Sequence, residues 1–320
     1  MTYKQVLSLM TTGLIIFSLF LIYLRGAFLP IFPEQIKVGA TYMTMNNDFY
    51  KTLNRELERG LGRDGGLLYT RDPELDEDKQ SQQIEQFIRE QVQVLVINPV
   101  KSDSPKILKA LQKAKQEGIK IIAVDTALAD KELADTTIVS DNYQAGVLIA
   151  KKLMKQKSSA DILLLEHKNT VSAMDRIQGF LDTLSSHSAY RVISRRDTFG
   201  QTEESMSQVR QVLSQGIHFD TIMALNDRTA LGALAAIQHQ PLPEKVLIYG
   251  VDGSPEMKSL LETTTDIEGT VAQSPLSMGK KALEVIEQME LGKSYQSNYQ
   301  IPVTLLDKSN IQDYSLGGWQ

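Results

Sequence analysis

Short apolar runs alternate with amphipathic stretches along the chain from residue 36 onward. The runs are rich in β-branched residues, which is typical of strands that are buried on both faces of a parallel sheet. The predicted strands lie at 36–42, 67–70, 92–98, 119–125, 160–166, 221–226, 245–252 and 267–273. The stretches between them predict helices near 47–62, 78–90, 104–117, 142–156, 173–185, 202–215, 228–238 and 275–291. This repeated strand–helix order predicts right-handed crossovers within open, doubly wound sheets.

Two such series follow one another, with an extended crossing at 136–141 and no Gly/Ser-rich tether between them. We therefore expect an α/β fold of two Rossmann-like, doubly wound lobes joined by a three-segment hinge. The N-terminal lobe is assigned to 36–139 plus 274–297. The C-terminal lobe is assigned to 140–273 plus 298–305.

The N-terminal part of the chain carries 19 consecutive uncharged residues, 6–24. As a helix they would span about 28 Å, close to the thickness of the hydrocarbon core of a bilayer. A cleaved signal peptide has a shorter apolar region and a small-residue cleavage site, whereas this run ends in Tyr23-Leu24-Arg25. A core helix would show a polar face. We expect an uncleaved single-pass anchor, with residues 1–34 forming a cytoplasmic stub, the membrane helix and a spacer, and with the body outside the cytoplasm.

Composition excludes several classes of function. The chain has 34 Lys+Arg against 39 Asp+Glu, a net charge of −5, which is the wrong balance for binding nucleic acid through its phosphates. It has no Cys, so disulfides, thiolate zinc sites and cysteine nucleophiles are excluded. Its four His have no helical spacing that would build a metal site, and the acidic run at 72–78 is interpreted as a solvated loop and helix start. The sequence at 60–65 matches G-x-G-x-x-G, but it follows a helix instead of a strand, so we expect a helix end and no nucleotide cofactor.

Polar and aromatic residues collect just beyond the predicted strand ends, where open α/β sheets bind their ligands. Carboxylates and amides at these positions are poor core material and good partners for hydroxyl groups. Some also have a structural interpretation: Asn46 or Asn47 could cap the following helix, and capping is the preferred role for Asp227 and Asp141. The residues in question are Asn46, Asn47, Phe49, Tyr50, Asn98, Asp125, Thr126, Asp175, Arg176, Asn226, Asp227, Asp252 and Gln273.

Eight motifs carry a resemblance to a known family. They are MNNDFY (45–50), VLVINPVKSD (94–103), AVDT (123–126), VSDNYQAG (139–146), AMDRIQGF (173–180), LNDRTALGAL (225–234), YGVDGSP (249–255) and VAQSP (271–275). In combination they resemble the type I periplasmic sugar-binding proteins of the ribose-binding kind, whose lobes recur in lactose-repressor-type regulators. The resemblance covers about residues 36–305. It implies ligand roles for Asn47, Phe49, Tyr50, Asn98, Asp125, Arg176, Asn226, Asp252 and Gln273, and an aromatic wall at Phe199.

The chain departs from that family in three respects. The family often has Arg after the aspartate at 125, where this chain has Thr126, and an aromatic before the aspartate at 252, where it has Val251. The guanidinium of an arginine and an aromatic ring that could stack on a sugar are thus missing. Their absence argues against ribose itself but not against a sugar. The uncleaved anchor is the third departure, because typical members are exported by cleaved signals or lipidated on Cys.

The expected function is that of a membrane-anchored, extracytoplasmic monosaccharide receptor that closes on its ligand. Its expected partner is an ABC-type permease, and the alternative is the extracellular domain of a histidine kinase. A repressor is disfavoured because the N-terminus is apolar instead of a basic helix-turn-helix. An enzyme is also disfavoured: Asp125, Asp252 and Arg176 could resemble acid–base machinery, but no nucleophile elbow or phosphate loop accompanies them.

Overall fold

The computed structural model describes residues 2–28, 35–63, 65–240 and 244–319. The first helix, α1 (Tyr3–Phe28), belongs to a unit separate from the body, which begins at Lys37. Its stretch Tyr3–Tyr23 has a mean hydropathy of 2.2 and is long and apolar enough to cross a membrane. A signal sequence has the same features. The predicted spacer, residues 29–34, lies outside the described residues.

Two six-stranded sheets form the frame of the body. The strands are β1 (Lys37–Thr41), β2 (Leu67–Arg71), β3 (Val94–Ile97), β4 (Lys120–Val124), β5 (Thr136–Ser140), β6 (Ala160–Glu166), β7 (Tyr190–Asp197), β8 (Thr221–Ala224), β9 (Leu247–Asp252), β10 (Ile267–Ala272), β11 (Asn298–Ile301) and β12 (Thr304–Leu306). The first sheet has the order β11-β5-β4-β3-β1-β2, and all its neighbouring strands are parallel. The second sheet has the order β12-β10-β9-β8-β6-β7, and among these described strands only β12 is antiparallel to its neighbour.

Helices connect most successive strands, and several begin with a side-chain oxygen that accepts a backbone N–H of the first turn. Such caps fix the residue at which a helix starts. They therefore also fix the position of the residues between that helix and the strand before it. The helices of the body are α2 (Asp48–Arg63), α3 (Glu77–Arg89), α4 (Pro105–Gln116), α5 (Asn142–Gln156), α6 (Val171–Leu184), α7 (Thr202–Ser214), α8 (Asp227–His239), α9 (Pro255–Thr263) and α10 (Pro275–Glu290), followed by a short 3-10 helix (Ile311–Asp313).

Strand β6 shows why the apolar runs of the sequence are continuous. Ile162 and Leu164 lie in a buried cluster with residues of α5 and α6. Leu163 and Leu165 lie in a second cluster with residues of α7 and α8 on the other face. Because successive side chains of a strand point to opposite faces, a strand covered by helices on both sides needs an apolar residue at every position.

The predicted α/β fold of two doubly wound lobes is confirmed, and the differences from prediction have local causes. The crossing predicted at 136–141 contains β5, which pairs with β4 and β11. Strand β7 was not predicted because it is a partly exposed edge strand that contains Arg191, Arg195 and Arg196. Helix α9 was not predicted either, since its 9 residues are short for a helical period.

The assignment of 298–305 to the C-terminal lobe was wrong for its first half. Strand β11 pairs with β5 in the first sheet, and β12 pairs with β10 in the second. Pro302 stands between them, and a proline cannot donate to a ladder, so the strand is broken there. The chain therefore passes between the sheets after β5, after β10 and between β11 and β12.

The close approach of α5 to α6 provides a stability prediction. A Cβ on Gly146 would lie 1.9 Å from the carbonyl oxygen of Arg176 and 2.6 Å from the nitrogen of Phe180. We expect Gly146→Ala to lower the free energy of unfolding by about 1–3 kcal/mol, because backbone must move to admit the methyl group. Denaturant unfolding of the full chain measures this. Gly62→Ala is the control, since nothing lies within 4 Å of its Cβ position, and a loss of similar size there would contradict the explanation.

Candidate ligand-binding cleft

Residues that follow strand ends of both sheets line one cleft, which holds about 480 Å³ of space free of protein atoms, part of it open to solvent. The structure brings nine of the ten predicted site residues to this cleft. They are Asn47, Phe49, Tyr50, Asp125, Arg176, Phe199, Asn226, Asp252 and Gln273.

Asp125 supplies a carboxylate from the first lobe. It follows β4 with a φ of +65°, a conformation that few non-glycine residues adopt, and it is buried. Its Oδ2 accepts hydrogen bonds from the Tyr50 hydroxyl at 3.1 Å and from Asn98 Nδ2 at 3.2 Å. Burial raises the pKa of Asp125, and the Arg176 guanidinium opposes that rise. These two hydrogen bonds hold the carboxylate in a fixed orientation at the cleft.

Asn98 is the predicted site residue that does not line the cleft. Its side chain is fully buried beneath Asp125. Oδ1 accepts the backbone N–H of Met43 at 3.1 Å, and Nδ2 donates to the Val124 carbonyl at 3.3 Å as well as to Asp125. Both polar atoms of the side chain are engaged by buried protein groups, so Asn98 positions the Asp125 carboxylate and the chain after β1.

Arg176 supplies a guanidinium from the second lobe, near the start of α6, with only 4% of its surface exposed. Nε donates to Asn142 Oδ1 at 2.8 Å, and Nη1 donates to the Leu225 carbonyl at 3.0 Å. Nη1 also lies 3.8 Å from Asp252 Oδ1. These contacts fix the plane of the Arg176 guanidinium group. Its orientation is important because a guanidinium recognises paired acceptors through its planar geometry.

Asp252 and Gln273 complete the polar side of the cleft. Asp252 Oδ1 accepts a hydrogen bond from Gln273 Nε2 at 2.7 Å. Burial and the neighbouring Asp227 raise the pKa of Asp252, while Arg176 opposes them. Gln273 Oε1 is buried, and no described residue donates to it. An unpaired buried acceptor is costly, so it is suited to a hydroxyl donated by a ligand.

Aromatic residues form the apolar side. Phe49 is buried and meets Tyr50 edge to face, with ring centroids 5.5 Å apart. Phe199 has a φ of +50° and leaves 47% of its surface exposed at the other wall, where its ring lies 5.9 Å from that of His167. Aromatic faces cover the C–H surfaces of a ring-shaped ligand.

The arrangement suits a neutral polyhydroxylated molecule. The carboxylates of Asp125 and Asp252 can accept hydrogen bonds and the guanidinium of Arg176 can donate them, and all three residues line one cleft with an apolar wall. Alternating hydroxyls and C–H groups match such a surface. Within the part of the chain that the structure describes, no group of three or more His, Asp or Glu residues is arranged to hold a metal ion.

The structure shows the roles of three residues at helix starts, Asn226, Asp227 and Asp141. Asn226, predicted as a ligand residue, lines the cleft and is also the N-cap of α8, its Oδ1 accepting the N–H of Thr229 at 2.9 Å. The capping role predicted for Asp227 was wrong, because the helix begins one residue earlier than expected. Its buried carboxylate instead accepts the N–H of Ser254 at 2.8 Å and the hydroxyl of Thr270 at 2.6 Å, which ties α8 to the loop after β9 and to β10. Asp141 caps α5 as predicted.

Sequence reasoning missed the contacts between the lobes. Thr170, the N-cap of α6, makes no side-chain cap. The first lobe caps the helix instead: Ser102 Oγ accepts the N–H of Val171 at 3.2 Å, and Thr126 Oγ1 accepts that of Ser172 at 3.0 Å. Thr126 therefore has a structural role at the position where the resembling family often has Arg. We call these two bonds the interlobe caps.

His167 was also missed. It lines the cleft, and burial lowers its pKa, with Asp197 opposing. The sequence offers little signal for it, because it is one residue beyond β6 and belongs to none of the motifs that suggested the family.

Comparison with known proteins places this geometry in a family. The periplasmic binding protein domain matches residues 38–294. The ribose import binding protein of Bacillus subtilis (strain 168) is 28% identical over 279 residues, which are 85% of this chain and 87% of that protein.

Two solved structures share the fold. An ABC transporter solute binding protein from Bacillus halodurans C-125 with bound myo-inositol superposes with a TM-score of 0.81 at 20% identity, covering 89% of this chain and 99% of that one. The fructose binding periplasmic domain of a hybrid two component system also superposes with a TM-score of 0.81, at 21% identity. The match covers 87% of this chain and 93% of that one.

The role of Asp125 provides a prediction about affinity. We expect Asp125→Ala to weaken binding of a polyhydroxylated ligand at least about tenfold, equivalent to 1.4 kcal/mol, because buried hydroxyls lose a charged acceptor. Calorimetric titration measures the change. The exposed Asp130→Ala is the matched control. Equal affinity of Asp125→Ala and the control would show that the ligand binds elsewhere.

The interlobe caps provide a second prediction. Neither Ser102 nor Thr126 lines the cleft, yet we expect Ser102→Ala and Thr126→Val each to weaken ligand binding by about twofold to tenfold. Each removes one hydrogen bond between the lobes, with a net value of about 0.5–1.5 kcal/mol. Titration of both variants beside Ser186→Ala, an exposed hydroxyl beyond the other end of α6, tests this. Wild-type affinity in both variants would contradict a role for these bonds in closure.

Proposed function

Because the chain belongs to the periplasmic binding protein domain family, we propose that it is a receptor for a monosaccharide or a closely related cyclic polyol. It is a solute-binding protein and not an enzyme. The observation that carries the proposal is the convergence of Asp125 from one lobe with Arg176 and Asp252 from the other on a cleft walled by Phe49. The unpaired Oε1 of Gln273 adds an acceptor for one more hydroxyl.

Closure is the proposed mechanism. A ligand that touches both lobes binds the closed form more tightly than the open form, and this difference in affinity shifts the population toward closure. Exclusion of water then strengthens each polar contact in the cleft. The interlobe caps form in the same movement, so they add to the free energy of closure without touching the ligand.

The relatives support a range of candidate ligands. One similar sequence is named as a ribose import binding protein, and a solved structure of the same fold holds myo-inositol. Thr126 and Val251 replace an arginine and an aromatic that would favour ribose, so we propose hexoses, other pentoses and inositols as the first candidates.

For the partner, we propose an ABC-type permease, to which the closed form would deliver its ligand. The alternative is a sensor that docks on the extracellular domain of a histidine kinase. It is favoured by α1, which could hold the receptor at the membrane, and by the likeness in fold to the fructose binding domain of a hybrid two component system. A gene for a kinase beside this one, in place of permease and ATPase genes, would favour the sensor.

A ligand screen tests the proposal. The full chain in detergent is heated with and without each of a panel of pentoses, hexoses, inositols and amino acids. A ligand at a concentration about 100 times its Kd stabilises the folded state by about 2.7 kcal/mol. This raises the midpoint of thermal unfolding by several degrees. We expect such a shift with a sugar or inositol, and a smaller one in Asp125→Ala. A shift with amino acids alone would overturn the proposed ligand class.

The proposed anchor has its own test. We expect the full-length protein in the membrane fraction, with its body digested by protease added outside the cytoplasmic membrane. Ile15→Arg combined with Leu19→Arg places two charges in the apolar helix and should reduce membrane retention, because each is costly at the bilayer centre. A mature protein that begins beyond residue 25 and is free of the membrane would show a cleaved signal instead.

A further inference from the structure

The C-terminal segment is fixed to the second lobe before it reaches the cleft. Tyr314 and Leu316 pack against the apolar cluster formed by α7, α8 and their strands. Lys258 of α9 is fully buried, and its Nζ donates to the carbonyl oxygens of Ser315 and Gly318. A buried ammonium group needs such acceptors. The lysine therefore holds the segment from inside the lobe.

Beyond Gly318 the segment crosses to the other lobe. The ring of Trp319 lies edge to face with that of Phe49, with centroids 5.4 Å apart and planes at 84°. Phe49 in turn meets Tyr50, whose hydroxyl donates to Asp125. Contacts thus run without a gap from the C-terminal segment to the carboxylate in the cleft.

We propose that Trp319 is a positioning residue for the ligand cleft and that residues 314–319 form a strap between the two lobes. The part that concerns the ligand rests on the proposed function. Trp319 does not line the cleft. Its ring meets that of Phe49 edge to face, and because Phe49 is only 3% exposed, this contact restricts the rotation of the Phe49 ring. Because Trp319 is carried by the second lobe and Phe49 by the first, the contact forms when the lobes are together.

The physical reason is preorganisation. Phe49 lies at the start of α2, where one side of its ring meets Tyr50 and another meets Trp319. Without Trp319 the ring has more orientations to lose when a ligand binds, and this loss of freedom weakens affinity. The same loss would occur if Lys258 no longer held the segment in place.

The strap can be tested without any ligand, because Trp319 is the single tryptophan of the chain. Its fluorescence in the full-length protein reports on this contact. We expect blue-shifted emission and protection from acrylamide in the wild type and in the control Gln312→Ala, which changes an exposed residue just before the strap. Phe49→Ala and Lys258→Met should shift emission to the red and raise the quenching constant at least about twofold. Circular dichroism checks that each variant is folded. Emission typical of free tryptophan in the wild type, or no change in folded Phe49→Ala, would overturn the strap.

The positioning role has a second measurement. Calorimetry with myo-inositol, D-ribose and D-allose compares the wild type with Trp319→Ala, Trp319→Phe and Gln312→Ala. We expect Trp319→Ala to weaken binding about fivefold and Trp319→Phe, which keeps an aromatic edge, to stay within about twofold. Equal affinity of Trp319→Ala and the wild type would overturn the positioning role. If none of the three binds to the wild type, the proposed function is in question, while the fluorescence result still decides the strap.

Discussion

A buried guanidinium organises the centre of this protein. Arg176 is almost fully removed from water, and a buried charge must be balanced and hydrogen-bonded. Asn142 and the Leu225 carbonyl take up two of its N–H groups, and Asp125 and Asp252 approach it from different strand ends. Bringing Asn142 to Arg176 requires α5 and α6 to lie nearly in backbone contact, which Gly146 and Gly179 allow.

The same requirement extends to the relation between the lobes. Asp125 belongs to the first lobe and Arg176 to the second, so their charges are best balanced when the lobes are together. The interlobe caps from Ser102 and Thr126 act in the same direction, and so does Arg228, which donates to the carbonyl of Asn46. A ligand with hydroxyls on both sides adds to interactions that already favour closure, and this lowers the differential affinity it must supply.

Much of the fold and the outline of the cleft could be predicted from sequence because both depend on local patterns. Continuous apolar runs such as Ile162–Leu165 mark strands that are covered on both faces, and ligands of such sheets bind at strand ends. Strand β7 was not predicted, because a partly exposed edge strand does not need a continuous apolar run. One residue of uncertainty in the start of α8 led to the cap being assigned to Asp227 instead of Asn226. Roles that depend on contacts between residues far apart in the sequence could not be predicted. Examples are Asn98 beneath Asp125, Thr126 at the N-terminus of α6, and Trp319 against Phe49.

A crystal structure of the protein with the ligand that stabilises it best would show directly whether both lobes bind one molecule. We expect electron density for a single small polyhydroxylated molecule in the cleft. Its oxygens should lie within hydrogen-bond distance, about 2.7–3.2 Å, of Asp125 on one side and of Arg176 and Asp252 on the other. Gln273 Oε1 should accept one of its hydroxyls. A ligand that lies outside this cleft, or that contacts one lobe alone, would contradict recognition by both lobes.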